Sequence, residues 1–275
     1  TFSRTGRYEI TVNALYEEKT DSCTVEVFVY DQVKLEGDGS SARPYRIASA
    51  DDLAAMAEAV NGGADFAGEY FTQTADISLE KYGNWTPIGT NGIPFEGIYD
   101  GQGRKIEDLT ILSSDSFQGL FGFVTGTVKN VSVYGRVAVT TLGSADEGPY
   151  AHSYAGGIAG GINNGAVIES CVSYVNVLGD SFVGGIVGEV MENDYMVTKT
   201  FSSVVNCVNY GNIRAIAETA VNENAMYYGG IAGRNNGIVR GCVNYGSVSA
   251  TAANVRYVGG IAGYGYLPYK EGAGP

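Results

Sequence analysis

Few side chains in this 275-residue chain are suited to metal or nucleophilic chemistry: there are four cysteines and one histidine. Cys171, Cys207 and Cys242 lie 36 and 35 residues apart, unlike the short Cys-x2-Cys pairs that close a zinc site. Val131 stands in the equivalent place one repeat earlier, so the position reads as an inward apolar slot. Stacked β-coils sit about 4.8 Å apart, which makes a buried thiol ladder the expectation. Neighbouring sulfurs would be within disulfide reach; a bridge or a metal are the alternatives. Cys23 lies apart, near the N-terminus. His152 is the sole histidine. Serine–histidine chemistry needs a carboxylate to orient the imidazole, and a lone loop histidine reads as solvated.

The elements that must carry these residues announce themselves by repetition. Gly119-Leu120-Phe121-Gly122, Gly157-Ile158-Ala159-Gly160, Gly185-Ile186-Val187-Gly188, Gly230-Ile231-Ala232-Gly233 and Gly260-Ile261-Ala262-Gly263 share one pattern. Each of the first four is followed by a second phrase, opening at Val131, Cys171, Cys207 and Cys242 and closing on Tyr134, Tyr174, Tyr210 and Tyr245. Two phrases in fixed order mean one supersecondary unit copied several times, each copy burying the apolar face of its neighbour. The glycine phrase recurs at intervals of 38, 28, 45 and 30 residues. The shortest units suit a coil of three short strands and three turns, as in a triangular β-helix. Longer units carry insertions: 138–151 and 214–226 at one recurring corner, and a third within 189–203 at another. Solenoids usually place their binding surface on such insertions. The glycine phrases do not read as phosphate cradles, because no Gly-Lys-Ser/Thr follows and no copy opens a helix.

Composition agrees with an all-β, turn-rich chain: 40 glycines and 20 tyrosines against four methionines and one tryptophan. A net charge of −13 repels polyanions and anionic surfaces, which argues against a nucleic-acid partner. No apolar run approaches the roughly 20 residues of a membrane span, so no membrane insertion is expected. Residues 1–35 alternate as two strands, with Tyr8, Ile10 and Val12 on one face and Val25, Val27 and Val29 on another. Gly6-Arg7-Tyr8-Glu9-Ile10 looks like the tyrosine corner of an immunoglobulin-like sandwich, so the segment reads as the C-terminal hairpin of a truncated domain of that type, a free-standing hairpin being the alternative. Residues 36–118 read as a cap and first coils. Ser49 is a good N-cap, Asp51 and Asp52 suit the first turn, and Leu53, Met56, Ala57 and Val60 share a face, so a helix over 50–61 is expected to cover the first rung. Short strands follow around Tyr70, Trp85, Phe95, Lys105 and Leu109. Residues 119–275 hold the repeats. The chain opens on Thr1 and closes on Pro275 one glycine phrase past the last complete unit, and so reads as an excerpt of a larger protein.

Tyr154, Phe182, Tyr227 and Tyr257 each lie four residues before a repeat isoleucine. On an unbroken strand both point to one face, so inward stacking is expected, with an exposed sugar-stacking strip as the alternative. Tyr174, Tyr210 and Tyr245 form a second such column at a turn. Asp100, Arg104, Lys105 and Asp108 resemble the carboxylate-and-cation sets of β-helix lyases and hydrolases but fall at a Gly-rich turn, where charge is expected. Calcium at Asp38 lacks the EF-hand spacing.

The phrases resemble the GLUG repeat of bacterial surface proteins. Asn235-Asn236-Gly237-Ile238-Val239 shows it best, and Asn163-Asn164-Gly165-Ala166-Val167 is close. Pro44-Tyr45-Arg46-Ile47, Trp85-Thr86-Pro87-Ile88-Gly89 and Asp100-Gly101-Gln102-Gly103 look like the segment that precedes such repeats. The resemblance covers about residues 37–265 and implies an extracellular or cell-surface bacterial protein, often carrying immunoglobulin-like modules and associated with adhesion. Similar repeats occur in the non-catalytic part of peptidases that cut immunoglobulin A. The family supplies no catalytic residue, cofactor or metal ligand. The sequence reading is thus an all-β, right-handed parallel β-solenoid with one capping helix. It acts as a non-catalytic adhesin-like or spacer module and presents loops to a host protein or glycan; a monomer is expected. His152, Tyr195, Glu218 and Asn222 are the candidate contact residues. A polysaccharide-processing enzyme, a carbohydrate-binding module and the non-catalytic region of a secreted peptidase are the alternatives.

Overall fold

The structure is a computed structural model that describes residues 6–16, 19–29, 35–139, 152–193, 200–215, 226–250 and 257–265, with the backbone alone for 6–29 and 193. Four parallel sheets run through the repeats and add strands coil by coil in chain order. Each gains one strand per coil, except the eight-stranded sheet that holds Ser132–Val139. There the later coils contribute two short strands each, Val208–Asn209 with Ile213–Ala215 and Val243–Asn244 with Val248–Ser249. Starting from the first glycine phrase, a coil passes through Phe117–Gln118, Phe121–Val124, Thr127–Lys129 and Ser132–Val139. The next passes through Tyr154–Ala155, Ala159–Ile162, Val167–Glu169 and Val172–Gly179. A coil therefore carries four strand segments, where the sequence reading expected three. The extra one arises because the leading glycine pair breaks what reads as a single strand.

Register holds from rung to rung. Phe121, Ala159, Val187, Ala232 and Ala262 lie opposite one another in turn, as do Val128, Ile168, Val204 and Val239. Leu120, Ile158, Ile186 and Ile231 fill the interior and are fully buried. At the turn before the second phrase, the chain takes a left-handed conformation in every coil. Asn130, Ser170, Asn206 and Gly241 have φ of 55°, 53°, 55° and 65°. Residue types that tolerate this region recur there for that reason.

Behind each of those turns comes the cysteine slot. Val131, Cys171 and Cys207 are buried and Cys242 is half-buried, all three thiols being free. Each sulfur donates to the carbonyl two residues before it, Cys171 to Glu169 (3.3 Å), Cys207 to Val205 (3.4 Å) and Cys242 to Arg240 (3.5 Å). The Cys207 N–H donates to the Cys242 Sγ at 3.4 Å. Contact with Cys171, with burial added, pushes the Cys207 thiol up; contact with Cys207 and burial do the same for Cys242. These thiols are core packing.

A polar rung lies two residues further on. Asn209 is fully buried, its Oδ1 accepting from Gly211 N (3.1 Å) and its Nδ2 donating to Gly211 O (2.8 Å) and Asn244 Oδ1 (2.9 Å). Asn244 repeats the arrangement on Gly246. Asn209→Ala is expected to strand both backbone groups of Gly211 and cost about 2–3 kcal/mol, read as a lower urea midpoint at unchanged m-value.

The helix forms over Ala50–Asn61, with the Ser49 side chain accepting from Asp52 N at 3.2 Å and Leu53, Met56, Ala57, Ala59 and Val60 buried. It packs beside Tyr45–Ile47, the edge strand of the seven-stranded sheet. Gly6–Tyr16 and Lys19–Val29 pair antiparallel in a two-stranded sheet, with Ile10 opposite Val25. No helix among the described residues is long and apolar enough to cross a membrane.

Candidate functional site

Insertions recur at the corner where the long, eight-stranded sheet of Ser132–Val139 and Val172–Gly179 hands over to the sheet that begins at Phe117. The linking segments there are 140–153, 180–181, 216–226 and 250–256. Strand ends take up Ala138, Val139, Arg214 and Ala215, so the first insertion is shifted by two residues at the same length and the 214–226 one is two residues shorter than the sequence reading drew it. The third insertion narrows to 191–202, and there Glu192–Asn193 pairs antiparallel with Thr200–Phe201. Tyr195, Glu218 and Asn222 lie outside the described residues. His152 is described, and it stands directly over the corner.

The aromatic column runs beneath that corner and faces away from the core. Phe117, Tyr154, Phe182, Tyr227 and Tyr257 stack at centroid spacings of 4.3, 4.7, 5.1 and 5.2 Å. The residues that point inward are their neighbours Ala155, Val183 and Tyr228, all fully buried. The inward expectation fails because the strand is broken after two or three residues, which uncouples the aromatic from the isoleucine four positions on. Exposure along the column is uneven: the central Phe182 is 3% exposed, Phe117, Tyr154 and Tyr227 are half-buried, and the terminal Tyr257 is 42% exposed.

Residues just past the second glycine of each phrase form the facing wall, where Phe123, Gly161, Glu189, Arg234 and Tyr264 share one register. Arg234 donates through Nε and Nη2 to Glu189 Oε1, with side-chain exposures of 33% and 1%. The guanidinium also lies over the Phe182 ring, 5.0 Å from its centroid, a cation–π contact. His152 packs edge-on against Phe182 at 5.0 Å and Tyr154 at 6.3 Å. Asp180 accepts from the Ser153 and Ser181 hydroxyls.

Burial sets the charge states here. It pushes the Glu189 carboxyl above its ordinary range, with Arg234 pulling the other way. Burial and the Arg234 charge lower the His152 imidazole, with Asp180 opposing, so the ring is neutral near pH 7. The Tyr154 phenol rises to about 12 through burial and the nearby Glu189 carboxylate. This arrangement offers recognition: aromatic edges, a guanidinium one-third in solvent and a neutral imidazole. A solvated His152 is therefore corrected to one packed on the aromatic column. Sequence reading missed Glu189 and Arg234, although opposite charges at one repeat position, directly after the glycine phrase, were there to be read.

The second tyrosine column, Tyr134, Tyr174, Tyr210 and Tyr245, stacks at 4.3, 4.7 and 5.0 Å on the outer face of the long sheet. Near-parallel rings cover one another, so the inner rungs show solvent their edges and hydroxyls rather than faces on which a sugar could stack. Asp100 is held by Gln102 N (3.0 Å), Asn130 Nδ2 (3.0 Å) and Lys129 Nζ (3.3 Å). Lys105 Nζ sits 5.7 Å from the Tyr134 ring centroid. Asp38 binds its own loop through Ser40 N (3.1 Å) and Arg43 Nη1 (3.4 Å). Among the described residues no group of three or more metal-binding side chains comes together.

No family model matches the chain. A stretch of 107 residues is 33% identical to a protein of Evansella cellulosilytica named as a Gly-rich membrane protein, covering 36% of this chain and 12% of that relative. The crystal structure of a Bacteroides ovatus protein named as an immunoglobulin A1 protease is similar in fold, with a TM-score of 0.59 at 24% identity. That match covers 84% of this chain and 65% of the solved one, so the chain spans less than two thirds of either relative.

Proposed function

We propose that the chain is a GLUG-type repeat module of a bacterial surface or secreted protein, a right-handed β-solenoid whose role is to hold partner-binding loops on a stiff rod. Right-handed winding follows the general rule for parallel crossover connections. In this reading the 50–61 helix caps the stack, and the N-terminal hairpin belongs to an immunoglobulin-like neighbour. The module itself is non-catalytic. The observation that carries the reading is the stacked aromatic column directly under the corner where segments 140–153 and 216–226 leave the coil. Rigid elements beneath variable loops are how solenoids build recognition surfaces. Fold likeness to the protein named as an immunoglobulin A1 protease supports a narrower version, a non-catalytic region of a secreted peptidase.

The test exploits the chain's own geometry. Residues 180–181 make the same connection with an Asp-Ser pair, so 216–226 can be replaced by Asp-Ser. Both chains are screened for binding to immobilised serum, mucosal and matrix proteins. The intact chain is expected to bind at least one, and the shortened chain to bind it at least about tenfold more weakly while unfolding as cooperatively. Equal binding by the two would remove the 216–226 loop from the contact. No binding by either would leave a spacer.

A further inference from the structure

A second surface, on the strands Ser132–Val139 and Val172–Gly179 before they reach the loop corner, has the features of a ligand site. Segment 79–85 runs beside the strand Lys105–Ser113, and its backbone hydrogen-bonds to that strand at its two ends, with the Asn84 side chain adding a pair of bonds to Leu112. Leu79 N donates to Glu107 O (2.9 Å) and Trp85 N to Thr110 O (2.8 Å). Beside those anchors lies a cleft of 540 Å³, lined by Glu80, Gly83, Asp108, Thr110, Arg136 and Asn176 among others. The volume is that of small-molecule sites in general, about 300–1,000 Å³.

Local backbone structure builds this cleft. Asp108 has a φ of 62° and is the extra residue of a β-bulge, where pairing skips from Ile106–Val133 to Leu109–Gly135. Bulges re-aim side chains and are frequent beside functional sites. Across the cleft, a Cβ on Gly135 (φ 148°) would lie 2.0 Å from Leu109 O, so only glycine lets the two strands close there.

The lining is chemically mixed. One Asp108 oxygen accepts from the Ser78 hydroxyl at 2.6 Å. Asn176 Oδ1 accepts from Asn212 N at 3.0 Å, and its amide N–H groups take no partner among the described residues. The Arg136 guanidinium and Glu80 carboxylate likewise have none. Two carboxylates, a guanidinium, an amide and a hydroxyl thus meet in one concavity. An anion would face both carboxylates and a chain of net charge −13; an organic cation would face Arg136. Vicinal hydroxyls, which donate to carboxylates and accept from guanidinium and amide N–H, satisfy the whole set. Tyr174 stands two residues before Asn176 on the same face, so the hydroxyl-bearing tyrosine column leads away from the cleft along the stack.

We propose that the cleft bounded by Glu80, Asp108 and Arg136 binds a neutral saccharide, with the Tyr134–Tyr245 column flanking the remainder of an extended chain by hydrogen bonding at ring edges. The site is independent of the loop-corner reading, since it uses none of the residues around His152 and Phe182.

The experiment is an array of immobilised oligosaccharides built from mannose, galactose, glucose and N-acetylglucosamine, with sialylated and sulfated glycans as charged comparators. Titration calorimetry follows with the best neutral probe. Binding to a neutral probe is expected, little changed by added salt, and weakened about tenfold or more by Arg136→Ala or Glu80→Gln. Asp108→Asn, which keeps a residue type tolerant of left-handed backbone, is expected to act in the same direction. Melting curves of the three variants are expected to match the parent, because these side chains lie at the surface of the cleft. An empty array overturns the proposal. So does binding that survives both Arg136→Ala and Glu80→Gln, preference for the charged glycans, or affinity that falls steeply with salt.

Discussion

Gly188→Val is expected to unfold the stack under conditions where the parent chain is folded, with a stability loss of about 3 kcal/mol or more. A Cβ at Gly188 would lie 2.5 Å from Gly160 O, 2.6 Å from Ala155 N and 2.8 Å from Tyr154 C. All three are backbone atoms of the preceding coil and cannot rotate away. The same approach recurs through the repeats: Gly160 meets Gln118 N, Gly233 meets Val183 N and Gly263 meets Tyr228 N, each at 2.5 Å. Volume at this slot therefore pushes neighbouring coils apart. Gly260 provides the control, since a Cβ there meets nothing within 4 Å. Gly260→Ala is expected to change stability by no more than about 0.5 kcal/mol. Urea denaturation of the two variants against the parent checks both; equal effects would refute the close-packing account of the glycine phrase.

Arg234→Met is expected to show the second large effect, and to show it in a pH-dependent way. Glu189 is almost wholly buried, and Arg234 is its ion-pair partner. Removing one partner of such a pair leaves an uncompensated charge, at a cost near 3 kcal/mol given that Arg234 is partly in solvent. The sign with pH follows from the raised Glu189 pKa. A carboxyl that holds its proton more tightly in the folded state favours folding on the acid side and loses that advantage as pH rises through the folded value. Without Arg234 the folded value climbs further. The variant is therefore expected to be most destabilised at about pH 7.5 and to recover much of the difference by about pH 5. Urea midpoints at the two pH values read this directly. Adding Glu189→Leu to Arg234→Met is expected to restore most of the stability at the higher pH, because it removes the stranded charge. A penalty independent of pH would mean that lost packing on Phe182, not the buried carboxylate, dominates.

Both effects arise where coils meet, and that is also where sequence reading was strongest and weakest. Periodic features were legible. Recurring glycine and Cys-Val-Asn-Tyr phrases foretold parallel stacking, the thiol ladder at Cys171, Cys207 and Cys242, and insertions at two different corners, because a solenoid repeats one local solution at each rung. The helix over Ala50–Asn61 was equally local, with its N-cap and apolar face written in consecutive residues. Side-chain direction across a break was not legible. Tyr154 and Ile158 share a face only if the strand continues, and close backbone approach at the glycine pair ends it. That inversion moved the aromatic column from the core to the outer wall and brought it under His152 and Arg234.

Partnerships between distant positions also needed three dimensions. Glu189 and Arg234 are 45 residues apart in sequence yet adjacent rungs in space. Glu80, Asp108 and Arg136 come from three separate segments, brought together by a short turn and a bulge that no periodicity encodes. Repetition alone determined the architecture of this chain, since each copy states the same contacts again. Tertiary structure decided which faces are open and which charges meet, because those depend on where single strands break and on insertions that occur only once.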